Sequence, residues 1–210
     1  MKKVITAIII MFIVCGCTVN YKSGLKFKKL IEQENSSYRK VIIKEDNPFE
    51  IIDIDSLLNK FKKEESFYLL VGSNKDNQTR STLETFIEVA KEEKLNKIYY
   101  IDITDYRDEL ALENEEVIVI NNGDIRYQYL LDYLKDKTVP YILHDKFGNP
   151  GLGNEGRIYD GTYFHVVNGK AISTTTGTSV LQDNYTDDLT NEQIKDQKNV
   201  IREFILYKGE

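Results

Sequence analysis

From residue 49 onward the hydrophobic positions fall into short β-type runs alternating with helical stripes. Residues 51–54 (Ile-Ile-Asp-Ile) make a first β run, after which Leu57, Leu58 and Phe61 recur at helical spacing. Asp55 or Ser56 can cap that helix, and Lys60, Lys62 and Lys63 close its last turn, where cations suit the dipole. The unbroken apolar run at 67–71, stopped by Gly72, has the pattern of a buried central strand. A polar loop follows at 73–77. Leu83, Phe86, Ile87, Ala90 and Leu95 then mark a long helix, and 98–103 is a second buried strand. This β-α-β-α-β order with short connections predicts parallel strands joined by crossover helices.

Beyond residue 105 the pattern loosens. The spacing predicts helix over 106–114, a short β run at 117–120, and a better helix over 124–135 on Ile125, Tyr129, Leu130, Tyr133 and Leu134. Residues 121–123 (Asn-Asn-Gly) and 148–151 (Gly-Asn-Pro-Gly) read as turns. Two β runs, 163–167 and 170–175, flank Asn168-Gly169, the strongest hairpin signal in the chain. Thr190 and Gln193 form a capping box that opens a last helix carrying Ile194, Val200, Ile201, Phe204 and Ile205.

Ahead of these elements the pattern is different. Met1-Lys2-Lys3 precedes an apolar run at 4–14 that is too short to span a bilayer, so residues 1–16 are expected to be a signal peptide. Val14-Cys15-Gly16-Cys17 resembles the bacterial lipobox. That resemblance implies acylation of Cys17, anchoring in the lipid bilayer, and a place on the extracytoplasmic face of the cell membrane. Residues 17–48 read as a lipid-anchored polar tether. Lys22, Lys26, Lys28, Lys29, Arg39 and Lys40 outnumber Glu32 and Glu34, with a helical turn or two at 25–34 and a short edge strand at 41–43. A basic stretch beside an anchor suits anionic headgroups. Asn47-Pro48 marks the entry to a folded domain over 49–207.

Composition changes the picture in two respects. Without Lys2 and Lys3 the chain keeps 26 basic against 34 acidic side chains, so its charge moves from −6 to −8, which disfavours nucleic acid as a partner. Cys15 leaves with the signal peptide, and Cys17 is then the only cysteine. No disulfide can staple the domain. Stability must come from burial, for which 41% hydrophobic residues suffice.

The element order, strand, helix, strand, polar loop, long helix, strand, helix, hairpin and final helix, resembles a thioredoxin-like fold. Three segments sharpen the likeness: 67–72 with its following loop and helix, 99–102 (Tyr-Tyr-Ile-Asp), and 157–162 (Arg-Ile-Tyr-Asp-Gly-Thr) leading into Val167-Asn168-Gly169-Lys170. Together with Gly177-Thr178 and 185–193 they are similar to thioredoxin-like proteins related to bacteriocin-transport accessory proteins, over residues 49–207. The resemblance implies an α/β fold with a central mixed β-sheet flanked by helices, a Cys-x-x-Cys at the start of the long helix, and a cis-proline beside it. This chain departs from both hallmarks. Asp76-Asn77-Gln78-Thr79 stands at the first, where Asp76 and Thr79 can cap a helix but cannot exchange electrons. Gly161 stands at the second, with a trans bond expected before it, while Pro140 is a weaker candidate for the same role.

What remains is a scaffold without redox chemistry and without a cofactor. Asp76, Asn77, Gln78, Thr79, Gly161 and Thr162 are expected to form the rim of a binding groove for an extracytoplasmic protein or peptide, held by β-augmentation. An enzyme of non-thiol chemistry and a structural surface spacer stay open as alternatives. Other constellations carry less. His144 and His165, with Asp145 or Asp160, lack metal-ligand spacing, and Asp102, Asp105 and Asp108 lack a calcium loop. Gly177-Thr178-Ser179 is no nucleophile elbow. Gly148, Gly151, Gly153 and Gly156 read as a flexible surface excursion, and the 14 tyrosines as core and boundary packing.

Overall fold

The computed structural model describes residues 22–209, so the expected signal peptide and Cys17 lie outside the described residues. The first parallel unit forms in the predicted order: β1 (Phe49–Ile51), α2 (Ile54–Lys62), β2 (Phe67–Val71), α3 (Asn77–Glu92) and β3 (Ile98–Ile101), preceded by a helix α1 over 22–32. The first strand lies earlier than the expected run at 51–54, since Asp53 caps α2 and Ile54 opens it. Asp53, not Asp55 or Ser56, caps α2 by accepting from the Ser56 amide at 2.9 Å. Strands β8 (Thr162–Val167) and β9 (Lys170–Thr175) turn on Asn168 and Gly169, both at positive φ, and α5 (Asn191–Leu206) opens on the Thr190/Gln193 capping box.

These strands form one mixed sheet in the order β1-β3-β2-β8-β9. The first three are mutually parallel, while β8 and β9 are antiparallel to their neighbours. Alternate residues feed two cores. Leu69, Val71, Tyr99, Ile101, Phe164 and Val166 face α2 and the helix α4 (Ile125–Leu134). Leu70, Ile98, Tyr100 and Tyr163 face α1, α3 and α5, where Phe86 stacks on Tyr163 at 3.9 Å between ring centres. The molecule is thus a mixed α/β structure with a central mixed sheet covered by helices on both faces. No helix among the described residues is long and apolar enough to cross a membrane.

Three expectations need correction. First, residues 22–48 are no solvated tether. Phe27, Ile31, Val41 and Ile43 are buried in the second core, Phe27 stacks on Phe49 at 4.4 Å, and Asn47 donates to the Gly24 carbonyl at 2.9 Å. The lysines between them line the outer face of an amphipathic helix. Residues 41–43 alternate inward and outward without joining the sheet.

Second, residues 106–114 are not helical. Strand β4 (Glu109–Glu113) pairs antiparallel with β5 (Glu116–Asn121). Asn114 and Glu115 both have positive φ, 49° and 69°, so they make a two-residue hairpin turn without a glycine. Third, the glycines at 148–156 are no loose excursion. Strand β7 (Pro150–Arg157) pairs with β6 (Val139–His144), and a Cβ on Gly151 would lie 2.7 Å from a Leu112 methyl. The two hairpins therefore stand between β3 and β8, separated by α4 and a 3₁₀ turn at Lys135–Lys137.

Candidate functional site

Residues 76–79 and 161–162 come together at the C-terminal ends of β2 and β3, where α3 starts and β8 begins. This is the usual ligand end of a parallel sheet. Gly72, Gly161 and Thr79 meet there. A Cβ on Gly72 would fall 2.7 Å from the Gly161 amide nitrogen and from Thr79 Oγ1. Gly161 has φ +76°, and its own Cβ would stand 3.1 Å from the Thr79 nitrogen. Gly161 thus packs on the first turn of α3. Pro140 lies in β6, paired with Gly156. No cis peptide bond occurs among the described residues, so the bond before Gly161 is trans as expected.

The six rim residues do not act alike. Asp76 caps α3, accepting from the Thr79 amide at 2.6 Å and from its hydroxyl at 2.7 Å, so both groups are occupied. Asn77 faces the N-terminal segment, where its Oδ1 accepts from the Arg39 amide at 2.8 Å. Only Gln78 and Thr162 line an open cleft of about 330 Å³. Its wall includes Val139, Tyr159, Phe164 and the run Thr174–Thr176, at the end of the edge strand β9. The Thr162 hydroxyl donates to the Tyr159 carbonyl at 2.7 Å. The cleft is lined by hydroxyl-bearing and apolar side chains, with Lys137 and Arg157 as its cations.

Charged groups that the sequence did not single out support this end of the sheet. Arg80, 1% exposed, donates to the carbonyls of Arg39 (2.6 Å), Ile31 (2.9 Å) and Asn74 (2.7 Å) and to Asn35 Oδ1. Burial pulls its pKa down, because desolvation opposes the cation. Asp160 pairs with Arg107 at 2.6 Å, yet burial raises its carboxyl above the ordinary range. Arg157 donates Nη2 to Asp108 at 2.9 Å in a buried pair that ties the second hairpin to the start of the first. None of these pairings has a local signature in the sequence. Arg80 lies on the helix stripe that faces the core, and a cation there was the available hint.

The histidines do not meet. His144 is exposed on β6, whereas His165 stacks on Tyr68 with ring centres 4.2 Å apart and an unpartnered, buried Nδ1. Among the described residues no group of three or more His, Cys, Asp or Glu is placed to hold a metal ion. Burial lowers the His165 pKa below 6.5, so its contribution to stability is present above the unfolded value and lost as pH falls through the folded one. The melting temperature is expected to drop on acidification below about pH 6.5, and His165→Phe, which keeps the ring contact, should flatten that part of the profile. An unchanged slope in thermal melts by circular dichroism would refute this assignment.

Comparison with protein-family models, with curated proteins and with solved structures finds no match to the chain.

Proposed function

We propose that this chain is an extracytoplasmic lipoprotein, anchored in the cell membrane through Cys17, whose thioredoxin-like domain is redox-inactive and binds an extended segment of a protein or peptide. The observation that carries the reading is the cleft beside Gln78 and Thr162. It opens at the C-terminal end of the sheet, is walled by Thr174–Thr176 at the end of an edge strand, and holds no cysteine. The strand order β1-β3-β2-β8-β9 and the seating of Gly161 against the first turn of α3 support the thioredoxin-like scaffold. An edge strand offers backbone donors and acceptors to an incoming strand, and the cleft takes its side chains. The protein acts by binding rather than catalysis: Asp76 and Thr79 are spent on the helix cap, and Thr162 donates to a carbonyl.

The test is photocrosslinking in cells, with a photoreactive residue at Gln78, at Thr162, or at exposed Glu88 on the far part of α3. A discrete adduct from the first two sites and none from Glu88 is the expected result. Equal or absent adducts at all three would make the cleft inert and leave the spacer reading in its place.

A further inference from the structure

We infer that the pole of the sheet opposite the cleft rests on the anionic headgroups of the bilayer, so that the cleft points away from the membrane. The inference rests on the proposed acylation of Cys17. Helix α1 fixes the geometry. At its start the Gly24 carbonyl accepts from Asn47, two residues before β1 begins, which places it at the N-terminal ends of the parallel strands. At its other end the Leu30 and Ile31 carbonyls accept from Asn74 and Arg80, beside the candidate site. The helix over 22–32 thus crosses the sheet from one pole to the other, about 16 Å at 1.5 Å per residue. Only residues 18–21 separate Cys17 from Lys22, and five residue steps reach at most about 18 Å. The domain therefore cannot stand clear of the surface. The pole that carries the start of α1 is the one held nearest to it.

The charges at that pole fit such a surface. Lys44, Lys62, Lys63, Lys94, Lys170 and Lys208 are all exposed there, on the loops and helix ends between the strand starts. None takes part in a salt bridge among the described residues. The carboxylates interspersed with them are largely occupied: Asp46 by Lys91, Glu50 by Lys97, Glu65 by Lys60, and Glu92 and Glu93 by Arg202, with Glu64 and Glu203 left exposed. Around the cleft the charges are mixed: Asp76, Asp102, Asp105, Asp160, Asp187 and Asp188 stand among Arg39, Lys75, Arg80, Arg107, Lys137 and Arg157, and Asp160 is paired with Arg107. A chain whose charge is −8 once Lys2 and Lys3 are removed has thus gathered unpaired cations at the one pole its tether holds down. An anionic leaflet attracts that pole within a screening length of about 8 Å.

The test uses the full lipidated protein in phosphatidylcholine vesicles with or without phosphatidylglycerol, doped with a nickel-chelating headgroup lipid. Acylation leaves no free thiol, so a nitroxide can be placed singly by Lys94→Cys or Asp188→Cys. With phosphatidylglycerol, nickel should relax the label at 94 at least about threefold more than the label at 188, since the surface field acts only at close range. The ratio should fall toward one without phosphatidylglycerol, or in Lys62→Glu/Lys63→Glu/Lys170→Glu, whose exposed positions leave the fold intact by circular dichroism. Equal relaxation at both labels in anionic vesicles overturns the inference. So does a ratio indifferent to lipid charge and to the triple reversal, as it would be if a second copy covered this pole. Protein recovered from cells without the lipid mass on Cys17 overturns the anchor itself, and the orientation with it.

Discussion

Arg80→Met is expected to destabilise the domain by about 3 kcal/mol and to loosen residues 22–40 from the sheet. The guanidinium is fully enclosed, and its partners are neutral oxygens: the carbonyls of Ile31, Asn74 and Arg39 and the Asn35 amide. Two effects compete when it is removed. Withdrawing a buried charge recovers its desolvation cost, roughly several kcal/mol. Against this, the Asn74 and Arg39 carbonyls lose their side-chain donor at about 1–3 kcal/mol each. Ile31 keeps the Glu34 amide and Asn35 Oδ1 keeps the Val41 amide, at the cost of a weaker hold on α1. The orphaned acceptors win because they remain buried after the charge has gone. At about 2–4 °C per kcal/mol for a domain of this size, the melting temperature should fall by roughly 6–12 °C. Hydrogen exchange should rise first over 22–40, since these carbonyls are what fasten α1 and its following loop to α3. A shift under about 1 kcal/mol would mean that the apolar contacts of Phe27 and Ile31 hold α1 without the clamp.

Gly161→Val is expected to cost roughly 2–4 kcal/mol and to abolish adducts at Gln78 and Thr162. A β-branched residue at φ +76° is strained by about 1–3 kcal/mol before any contact is counted. The new Cβ would also press on the Thr79 backbone at 3.1–3.2 Å, which is helix and cannot rotate away. Relief requires moving the first turn of α3 and with it the Asp76 cap, worth about 1 kcal/mol. Gly161→Asn tolerates positive φ better and should lose less stability, which separates backbone strain from steric pressure. Chemical denaturation of the three proteins gives the comparison. Equal stability of Val and wild type would show that β8 and α3 can part at this point.

The Gly161 contact also shows how much of the site was legible. That residues 76–79 open a helix follows from Asp76 and Thr79 and the stripe of Leu83, Phe86 and Ile87 behind them, and α3 starts there. Which later residue meets that turn depends on which strand pairs with β2. The Asn168-Gly169 hairpin placed β8 and β9 together, and the pairing of Val71 with Thr162 brings Gly161 to Thr79. Asn77 faces Arg39 instead of the cleft, because residues 22–48 pack on the sheet and do not stand off as a tether. Phe27, Leu30 and Ile31 do carry helical spacing, but the surrounding lysines gave the stretch a solvated look. The run of glycines from Gly148 reads as a flexible surface excursion, although in β7 Gly151 admits the Leu112 side chain of the other hairpin.

Legible in the sequence were the features set within a few residues: the periods of β2 and β3, the caps at Asp76 and Thr190, the hairpin at Asn168-Gly169, and the absence of any cysteine after Cys17. Each depends on backbone stereochemistry, neighbouring side chains or a simple count. Tertiary structure alone decided that Arg80 clamps the N-terminal segment, that Asp108 pairs with Arg157 across 49 positions, and that Gln78 and Thr162 share a cleft while Asn77 does not. Those contacts join segments far apart in the chain. Which of them form is settled only when the apolar faces pack and each buried polar group must find a partner within reach.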